Sequence, residues 1–554
     1  MNSDFKTVLA GLAGAPFFLP EESRGKIRRR VRSMPLAKKI PQLFCVLGTI
    51  YSDGELKSLV RDTGIGAVLF RPDRTETIRK RLSAAGRGEI PLLVAANLEE
   101  GGAGAVTDGT YYGSQSEIAA ANDIGECRKF ACVCAEEAKR AGVNWTFSPV
   151  SDIDFNFRNP IMNVRTFGSD PERVKTLASA YVEEIQARGV AACAKHFPGD
   201  GVDFRDQHLH PSVNSLPADR WAETYGAVYR ELIRSNILSV MAGHILQPAV
   251  EMALDPSLSR PDCMPGSLSK PLLTGLLRGR YGFNGVIASD ATIMGGFTMA
   301  MPRRDAIPAA IAAGCDMLVF STDIREDIRY LAEGVSRGLV TEERIDCALA
   351  RILALKEKVC GKTGGAPPPD FDPAGWAAGC ADKAVTLVKN RGGILPLSPG
   401  KTPDVRIVVL GNGEIEGAGL YEEAAAFLSA RGFRPVRYVR ETDEMRGTAN
   451  LSKTRLTLYL ANEPTESNRT TVRLSWNPLH ALDAPRHPFE EPYVFVSLYN
   501  PYHLQDVPAV PVYVNAYSPT RACLAAALSK LCGESPFRGT SPSDPFCGLE
   551  DVKY

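Results

Sequence analysis

The sequence predicts an α/β protein: a (β/α)8 TIM-like barrel followed by a smaller α/β sandwich domain. Two observations support this prediction. Eight short apolar runs alternate with helix-like segments up to residue 355, a pattern typical of parallel strands that are buried on both faces. Near residue 360 the composition shifts to glycine and proline, as expected for a linker between two domains.

The eight predicted barrel strands are continuous apolar runs bounded by turn-forming residues. They are Phe44–Leu47, Ala67–Phe70, Leu92–Ala95, Phe147–Val150, Ala191–Ala194, Ser239–Ala242, Val286–Ser289 and Met317–Phe320. Amphipathic helices are predicted between them, for example over Pro171–Arg188, Ala218–Ser235 and Ser269–Arg280. Asp170-Pro171-Glu172 has the cap, proline and acid that favour a helix start. Eight strand–helix units predict a barrel over residues 40–355.

The predicted domains are a barrel over residues 1–360, a linker over residues 361–375 and an α/β sandwich over residues 376–554. The linker contains Pro367-Pro368-Pro369. Beyond it, helical patterns at Glu422–Ala430 and Ser518–Leu531 alternate with apolar runs, which indicates a layered α/β domain. The predicted strands of this domain are Ala384–Val388, Ile407–Leu410, Leu456–Leu460, Tyr493–Leu498 and Val510–Val514.

Charge and composition exclude several classes of protein. The 554 residues include 64 basic and 64 acidic side chains, so no net basic field attracts nucleic acid or anionic lipid. No uninterrupted apolar run reaches 18 residues, and residues 8–20 make a poor signal peptide because only Lys6 precedes them among basic residues. We therefore expect a cytoplasmic protein with no membrane or nucleic-acid partner.

The cysteines predict neither disulfides nor a metal site. There are 13, an odd number, and several lie in apolar or helical contexts, which favours reduced structural thiols. Cys132 and Cys134 form a close pair in a helical pattern and lack a second pair to complete a zinc site. We expect no metal and no cofactor.

Polar residues at the ends of the predicted strands indicate a site at the barrel mouth. In such barrels the carboxyl ends of the strands carry the active site. Lys195-His196, Gly243-His244 and Asp290 all stand at such ends. Asp290 could attack an electrophilic carbon as a nucleophile, or it could cap the following helix; its position alone favours neither reading.

A second candidate group lies on the loop after the fifth predicted strand. Asp206 precedes His208 by two residues, so its carboxylate could orient the imidazole and stabilise the imidazolium during proton transfer. The alternative is a surface loop that carries histidines without a function. Lys195 and His196 are candidate ligands for hydroxyl groups, although Lys195 could instead form a structural ion pair with a barrel acid such as Asp152.

Several motifs together resemble family 3 glycoside hydrolases, specifically the β-N-acetylglucosaminidase branch. Residues 195–201, Lys-His-Phe-Pro-Gly-Asp-Gly, and the Asp-Gln-His of residues 206–208 resemble the most specific pattern of that family. The segments at residues 144–152, 159–171, 240–245, 267–290 and 309–318 also resemble family motifs, as do residues 384–390 and 496–506 in the second domain.

The resemblance implies a role for each matching residue. It implies that Asp290 is the nucleophile, His208 the acid/base and Asp206 its orienting partner, while Arg165, Lys195 and His196 bind substrate. The implied activity is that of a retaining exo-β-N-acetylglucosaminidase that acts on a carbohydrate and needs no cofactor. A β-N-acetylglucosaminide phosphorylase is an alternative, because an imidazole repels phosphate less than a carboxylate does.

The sequence departs from the family pattern in the predicted sugar pocket. Leu98 stands where the branch has a sugar-contacting Asp, Ala103 where an Arg commonly follows, and Asp200 where a His is common. These changes leave Asp206, His208 and Asp290 intact, but they put the substrate in question. They also motivate a third reading, in which a decayed enzyme scaffold binds a sugar without catalysis.

Overall fold

The computed structural model describes residues 3–86, 88–361, 367–438, 455–468, 470–476 and 483–553. The chain divides into two compact units. The first comprises Met1–Tyr111, Arg128–Asn156 and Pro171–Phe371, and the second comprises Tyr112–Cys127, Phe157–Asp170 and Asp372–Tyr554. The predicted domain boundaries remain a prediction: two segments placed within the barrel domain cluster with the second unit, and residues 362–366 of the linker lie outside the described residues.

The described part of the first unit contains an eight-stranded parallel sheet. Its strands are β1 (Phe44–Leu47), β2 (Ala67–Leu69), β3 (Leu93–Ala96), β4 (Trp145–Thr146), β5 (Cys193–Phe197), β6 (Ser239–Ala242), β7 (Val286–Ala291) and β8 (Met317–Val319). Their order in the sheet is β4-β3-β2-β1-β8-β7-β6-β5. Single bridges at Trp145↔Ala191 and Val150↔Lys195 join β4 to β5 and close the barrel.

Helices follow most barrel strands. The described helices of the first unit are Ser3–Gly11, Glu21–Ser33, Leu36–Lys39, Asp53–Ser58, Thr75–Ala85, Pro171–Ala187, Ala218–Glu223, Tyr225–Arg234, Pro248–Leu254, Gly295–Thr298, Arg303–Ala313, Ile324–Ser336 and Glu342–Val359, with π-helical turns at Leu59–Thr63 and Pro271–Arg280. Ile124–Arg140 contributes residues to both units. No described helix has the length and apolarity needed to cross a bilayer.

The second unit is built on a six-stranded mixed sheet in the described residues. Its strands are β9 (Thr386–Asn390), β10 (Asp404–Gly411), β11 (Arg434–Arg437), β12 (Arg455–Asn462), β13 (Tyr493–Ser497) and β14 (Val512–Asn515), ordered β9-β14-β13-β12-β10-β11. Among these described strands, β9 pairs with β14 in the antiparallel sense, and the other four pairings are parallel. The described helices include Gln115–Ala120, Pro373–Ala384, Leu420–Ser429 and Arg521–Leu531.

Alternate residues of this second sheet enter two different cores. Leu458, Val494 and Val514 pack with residues of helices Leu420–Ser429 and Arg521–Leu531. Tyr459 and Phe495 face the opposite core, together with loop residues such as Leu504. This alternation follows from the two-residue period of side chains along a strand, and it produces the predicted α/β sandwich.

The predicted fold class is confirmed, with local differences that have physical causes. The predicted strand Phe147–Val150 is misplaced: the regular strand, Trp145–Thr146, ends before it. Pro149 has no N–H for the ladder, and of the four predicted residues only Val150 forms a bridge, with Lys195. The predicted helix Ala218–Ser235 divides at Thr224, whose φ and ψ of −104° and −93° leave the helical region. Strand β11 is absent from the prediction because its Arg-Pro-Val-Arg sequence is the polar edge of the sheet rather than an apolar run.

Candidate active site

The carboxyl ends of β5, β6 and β7 bring the predicted nucleophile, Asp290, together with the predicted substrate-binding residues Lys195 and His196. Lys195 and His196 lie within β5, His244 follows β6, and Asp290 lies near the end of β7. These three strands are neighbours in the parallel sheet, so their ends meet at one edge of the barrel. The predicted location at the barrel mouth follows from this topology.

His196 stands between two carboxylates. Asp152 accepts main-chain N–H groups from His196 (3.0 Å) and Asp200 (2.7 Å), and its Oδ2 lies 2.7 Å from Nδ1 of His196. Because a carboxylate that accepts these bonds cannot also donate, Nδ1 carries the proton. The other ring nitrogen, Nε2, lies 3.8 Å from Oδ2 of Asp290.

The surroundings of Asp290 favour its charged form. Burial disfavours the negative charge, but the imidazoles of His196, His244 and His208 and the main-chain N–H of Ala291 outweigh that penalty and hold the pKa of Asp290 below its ordinary value. The Ala291 N–H donates to Oδ1 at 2.7 Å. An ionised carboxylate at this position has the charge state that a nucleophile needs.

Asp206 and His208 form a hydrogen-bonded pair on the loop after β5. Oδ1 of Asp206 lies 2.7 Å from Nδ1 of His208 and accepts the main-chain N–H of the same histidine at 2.8 Å. Asp206 is buried, whereas the His208 side chain is partly exposed. The carboxylate therefore fixes the Nδ1–H tautomer and leaves Nε2 to exchange a proton.

The His208 loop is joined to the segment that follows Asp290. The Gly295 N–H donates to the His208 carbonyl oxygen at 2.8 Å, and His208 is among the groups that lower the pKa of Asp290. His208 and Asp290 therefore share one electrostatic environment at the barrel mouth.

His244 adds a third imidazole that the sequence did not assign a role. Nε2 lies 3.0 Å from the carbonyl oxygen of Ala291 and Nδ1 lies 2.8 Å from Oγ of Ser267. A carbonyl only accepts, so Nε2 carries the proton and Nδ1 accepts from the serine hydroxyl. Burial lowers the pKa of His244, and the neighbouring Asp290 carboxylate opposes that shift. In the sequence, the indication that His244 belongs to the site was its position directly after the sixth apolar run, in the pair Gly243-His244.

Lys195 pairs with Glu99 rather than with Asp152, the structural partner considered from the sequence. Its Nζ lies 2.5 Å from Oε1 of Glu99 and donates to Oδ1 of Asn97 at 3.2 Å. Both Lys195 and Glu99 are largely buried. Leu98, between Asn97 and Glu99, is fully buried. In the predicted sugar pocket the carboxylate therefore comes from Glu99. This residue follows by one the position at which the family has its Asp.

Arg165 belongs to the second unit, on the short 3-10 helix Asn163–Arg165, and its Nη1 donates to the carbonyl oxygen of Ile161 at 3.3 Å. Its predicted contact with substrate remains a prediction. Within the described ranges, no group of three or more His, Cys, Asp or Glu residues is arranged to hold a metal ion.

Comparison with known families assigns the chain. The family model described as "Glycosyl hydrolase family 3 N terminal domain" matches residues 35–355. The chain belongs to glycosyl hydrolase family 3. The resemblance inferred from the motifs is thus confirmed, and as a member of family 3 the chain is a glycoside hydrolase enzyme. This assignment argues against the reading as a non-catalytic sugar-binding scaffold.

Relatives of this family 3 chain match it over its full length. A β-N-acetylglucosaminidase/β-glucosidase of Cellulomonas fimi is 40% identical over 563 residues, which cover 98% of this chain and 99% of that protein. A solved structure of a β-glucoside phosphorylase bound to 2FGlc has a TM-score of 0.90 at 39% identity, covering 98% of this chain and 100% of that one.

A more distant structure supports the fold alone. The β-N-acetylglucosaminidase from Paenibacillus sp. str. FPU-7 has a TM-score of 0.77 at 22% identity and covers 93% of this chain and 100% of its own.

Proposed function

We propose that this family 3 enzyme is a retaining exo-β-glycosidase that removes terminal β-linked N-acetylglucosamine. Asp290 is the nucleophile, and His208, oriented by Asp206, is the acid/base. One observation carries the proposal. The loop that holds the Asp206–His208 pair is connected by a main-chain hydrogen bond to the segment that follows Asp290.

In the first step, an oxygen of Asp290 attacks the anomeric carbon of the terminal sugar. The bond from that carbon to the leaving oxygen breaks, and Nε2 of the protonated His208 gives its proton to this oxygen. The carboxylate of Asp206 stabilises the imidazolium before the transfer and holds the neutral ring in place after it. The product on the enzyme is a glycosyl ester of Asp290.

In the second step, the now neutral Nε2 of His208 removes a proton from a water molecule. The water oxygen attacks the anomeric carbon from the face that the leaving group occupied, and the ester bond to Asp290 breaks. Two displacements restore the original β configuration. The proton taken from water returns His208 to its starting state.

The sugar is proposed to be held by Lys195 and His196. The Lys195 ammonium stands in a buried pair with Glu99, which places a donor and an acceptor side by side at the β5 end, as recognition of neighbouring hydroxyl groups requires. The choice of N-acetylglucosamine is supported by the name of the Cellulomonas fimi relative, which covers both N-acetylglucosaminide and glucoside cleavage.

A second candidate function is phosphorolysis of the same glycosyl–enzyme ester. It is favoured by the full-length likeness to a β-glucoside phosphorylase and by the imidazole of His208. A carboxylate acid/base would repel an incoming phosphate, whereas a neutral or cationic imidazole does not. Phosphate would then replace water, and the product would be a sugar 1-phosphate of retained configuration.

The test is a panel of aryl β-glycosides that differ only at C2 and C4, assayed with and without inorganic phosphate. We expect the N-acetylglucosaminide with the gluco configuration at C4 to give the highest kcat/KM, and NMR to detect a first-formed product of retained configuration. Asp290→Asn abolishes turnover, while the control Asp219→Asn, at an exposed carboxyl, leaves it unchanged.

Each outcome decides between defined alternatives. Free sugar at the same rate with or without phosphate supports hydrolysis, and accumulation of the sugar 1-phosphate supports the second candidate. A first-formed product of inverted configuration, or normal turnover by Asp290→Asn, would contradict both.

A further inference from the structure

Gln207, between the two residues of the Asp206–His208 pair, is fully buried and has no part in the steps above. Its Oε1 accepts the main-chain N–H of His244 at 2.8 Å, and its Nε2 donates to Oδ2 of Asp200 at 3.3 Å. Asp200 is one of the departures from the family pattern found in the sequence. The amide therefore occupies a buried slot between a fixed donor and a fixed acceptor.

The chemistry of the two partners leaves the amide one orientation. A main-chain N–H can only donate, so the atom facing His244 is the oxygen of Gln207. A carboxylate that already accepts the Gly201 N–H at 2.7 Å presents acceptor oxygens, so the atom facing Asp200 is the amide nitrogen. Turning the Gln207 amide over would leave a buried polar atom unsatisfied, at a cost of about 1–3 kcal/mol.

The main chain around Gln207 is bonded to a third strand end. The Gly296 N–H donates to the Gln207 carbonyl oxygen at 3.1 Å, next to the bond from Gly295 to His208. Glycine is required for this approach: a Cβ on Gly295 would lie 2.1 Å from the Leu209 oxygen, and one on Gly296 would lie 2.6 Å from the His244 Cβ. Gln207 thus contacts residues that follow β5, β6 and β7.

We propose that Gln207 is a positioning residue, whose amide, held between Asp200 and the main chain of His244, sets the place of His208 relative to Asp290. The inference rests on the proposed function, because it presupposes that His208 is the acid/base. Gln207 itself does not touch the reacting atoms. It fixes the turn from which His208 extends, and so determines whether Nε2 reaches the leaving oxygen.

The kinetics distinguish a positioning role from a loss of folded protein, because the two change the rates on good and poor leaving groups differently. Misplacing an acid slows only the reactions that need its proton. A good leaving group such as 2,4-dinitrophenolate departs without protonation, whereas a poor one such as methoxide does not. Partial unfolding, in contrast, lowers the rates on both substrates by the same factor.

The experiment uses a pair of substitutions that exchange donor and acceptor. Gln207→Glu places two carboxylates face to face, and Asp200→Asn places two amide NH2 groups face to face. The double variant restores a complementary pair, because the amide introduced at position 200 donates to the carboxylate introduced at position 207, while the oxygen of that amide still accepts the Gly201 N–H.

The expected rates follow from this exchange. We expect each single variant to lose about 100-fold in kcat/KM on the methyl glycoside and less than about 3-fold on the dinitrophenyl glycoside. The double variant should recover to within about 5-fold of the parent on both substrates, because the two changes compensate each other at one contact.

Gln247→Glu is the matched control. Gln247 is equally buried; its amide accepts the Val250 N–H and donates to the carbonyl oxygen of Leu216 and to Oδ1 of Asn214. None of the hydrogen bonds described for these partners reaches residues 206–208. We expect the control to lower Tm without changing the ratio of the two rates. If Gln207→Glu does not fold, Asp200→Asn and the double variant provide the same comparison.

The outcomes separate this inference from the proposed function. Equal losses on the two substrates, or no recovery in the double variant, would overturn the positioning role of Gln207 while a selective loss in His208→Ala still supports the mechanism. A His208→Ala variant with equal losses would overturn the proposed function itself, and the positioning inference with it.

Discussion

Nε2 of His196 lies 3.8 Å from Oδ2 of Asp290, while the opposite nitrogen of the same ring is held by Asp152. The imidazole therefore joins a structural carboxylate on one side to the proposed nucleophile on the other. Its electrostatic effect is the largest of those that lower the pKa of Asp290 against the effect of burial. Removing the ring should change the charge state of the nucleophile.

His196→Asn is expected to raise the pKa of Asp290, because the burial penalty would remain and the largest opposing field would be lost. A nucleophile must be ionised, so the acid limb of the kcat/KM profile should move to higher pH. The profile is best measured with a dinitrophenyl glycoside, on which His208 has little influence. His503→Asn, at a buried histidine of the second unit, is the control. An unmoved acid limb in His196→Asn would contradict this electrostatic role.

His208→Ala is expected to separate substrates by leaving group. The rate on a methyl or unactivated aryl glycoside should fall by about 100-fold or more, because general acid catalysis contributes on that order. The first step on a dinitrophenyl glycoside should be nearly unchanged, and it is measured as a pre-steady-state burst. Equal loss on both substrates would count against His208 as the acid.

Leu98→Asp is expected to destabilise the protein rather than restore a sugar contact. The Leu98 side chain is fully buried, so a carboxylate introduced there would lose its hydration. Leu98→Ala gives the cost of the cavity alone, about 2–5 kcal/mol, and Leu98→Asp should cost more in denaturant unfolding. A stable Leu98→Asp variant with a lower KM would show that the pocket can use an acid at this position.

Glu117→Gln is expected to change how the stability of the second unit depends on pH. Burial raises the pKa of Glu117 from 4.5 to about 8. The folded state then holds a proton that the unfolded chain releases, so this residue stabilises fully below pH 4.5 and its contribution declines as the pH rises to about 8. Glutamine cannot ionise.

The stability difference between Glu117→Gln and the parent should therefore grow, in favour of the variant, from about pH 5 to about pH 8. Chemical denaturation followed at several pH values measures it. A constant difference over that range would mean that Glu117 is not held protonated in the folded state.

The apolar runs made the fold predictable because both faces of a parallel strand are buried. That pattern identified β1 and β6 at their observed bounds. It failed where polar residues form a strand: β5 extends through Lys195 and His196 to Phe197, since pairing with β6 continues after a register shift. The segments Tyr112–Cys127 and Phe157–Asp170 could not be assigned to the second unit, because no local pattern encodes that contact.

The candidate site was predictable where its geometry is local. An Asp two residues before a His can bond both its main chain and its ring, as Asp206 does. The Lys195–Glu99 pair spans 96 residues, and the bond from Gln207 to His244 spans 37. Such contacts depend on which strand ends become neighbours, so motif spacing alone could not name the partners.

The most direct test of the mechanism is to trap the covalent ester. A slow fluorosugar substrate with an activated leaving group should add one sugar mass to the protein, and mass spectrometry of its peptides should place that mass on Asp290. Asp290→Asn should remain unlabelled under the same conditions. A stable adduct on another residue would contradict Asp290 as the nucleophile. So would turnover of the reagent with no adduct detected, either at steady state or in the quenched burst.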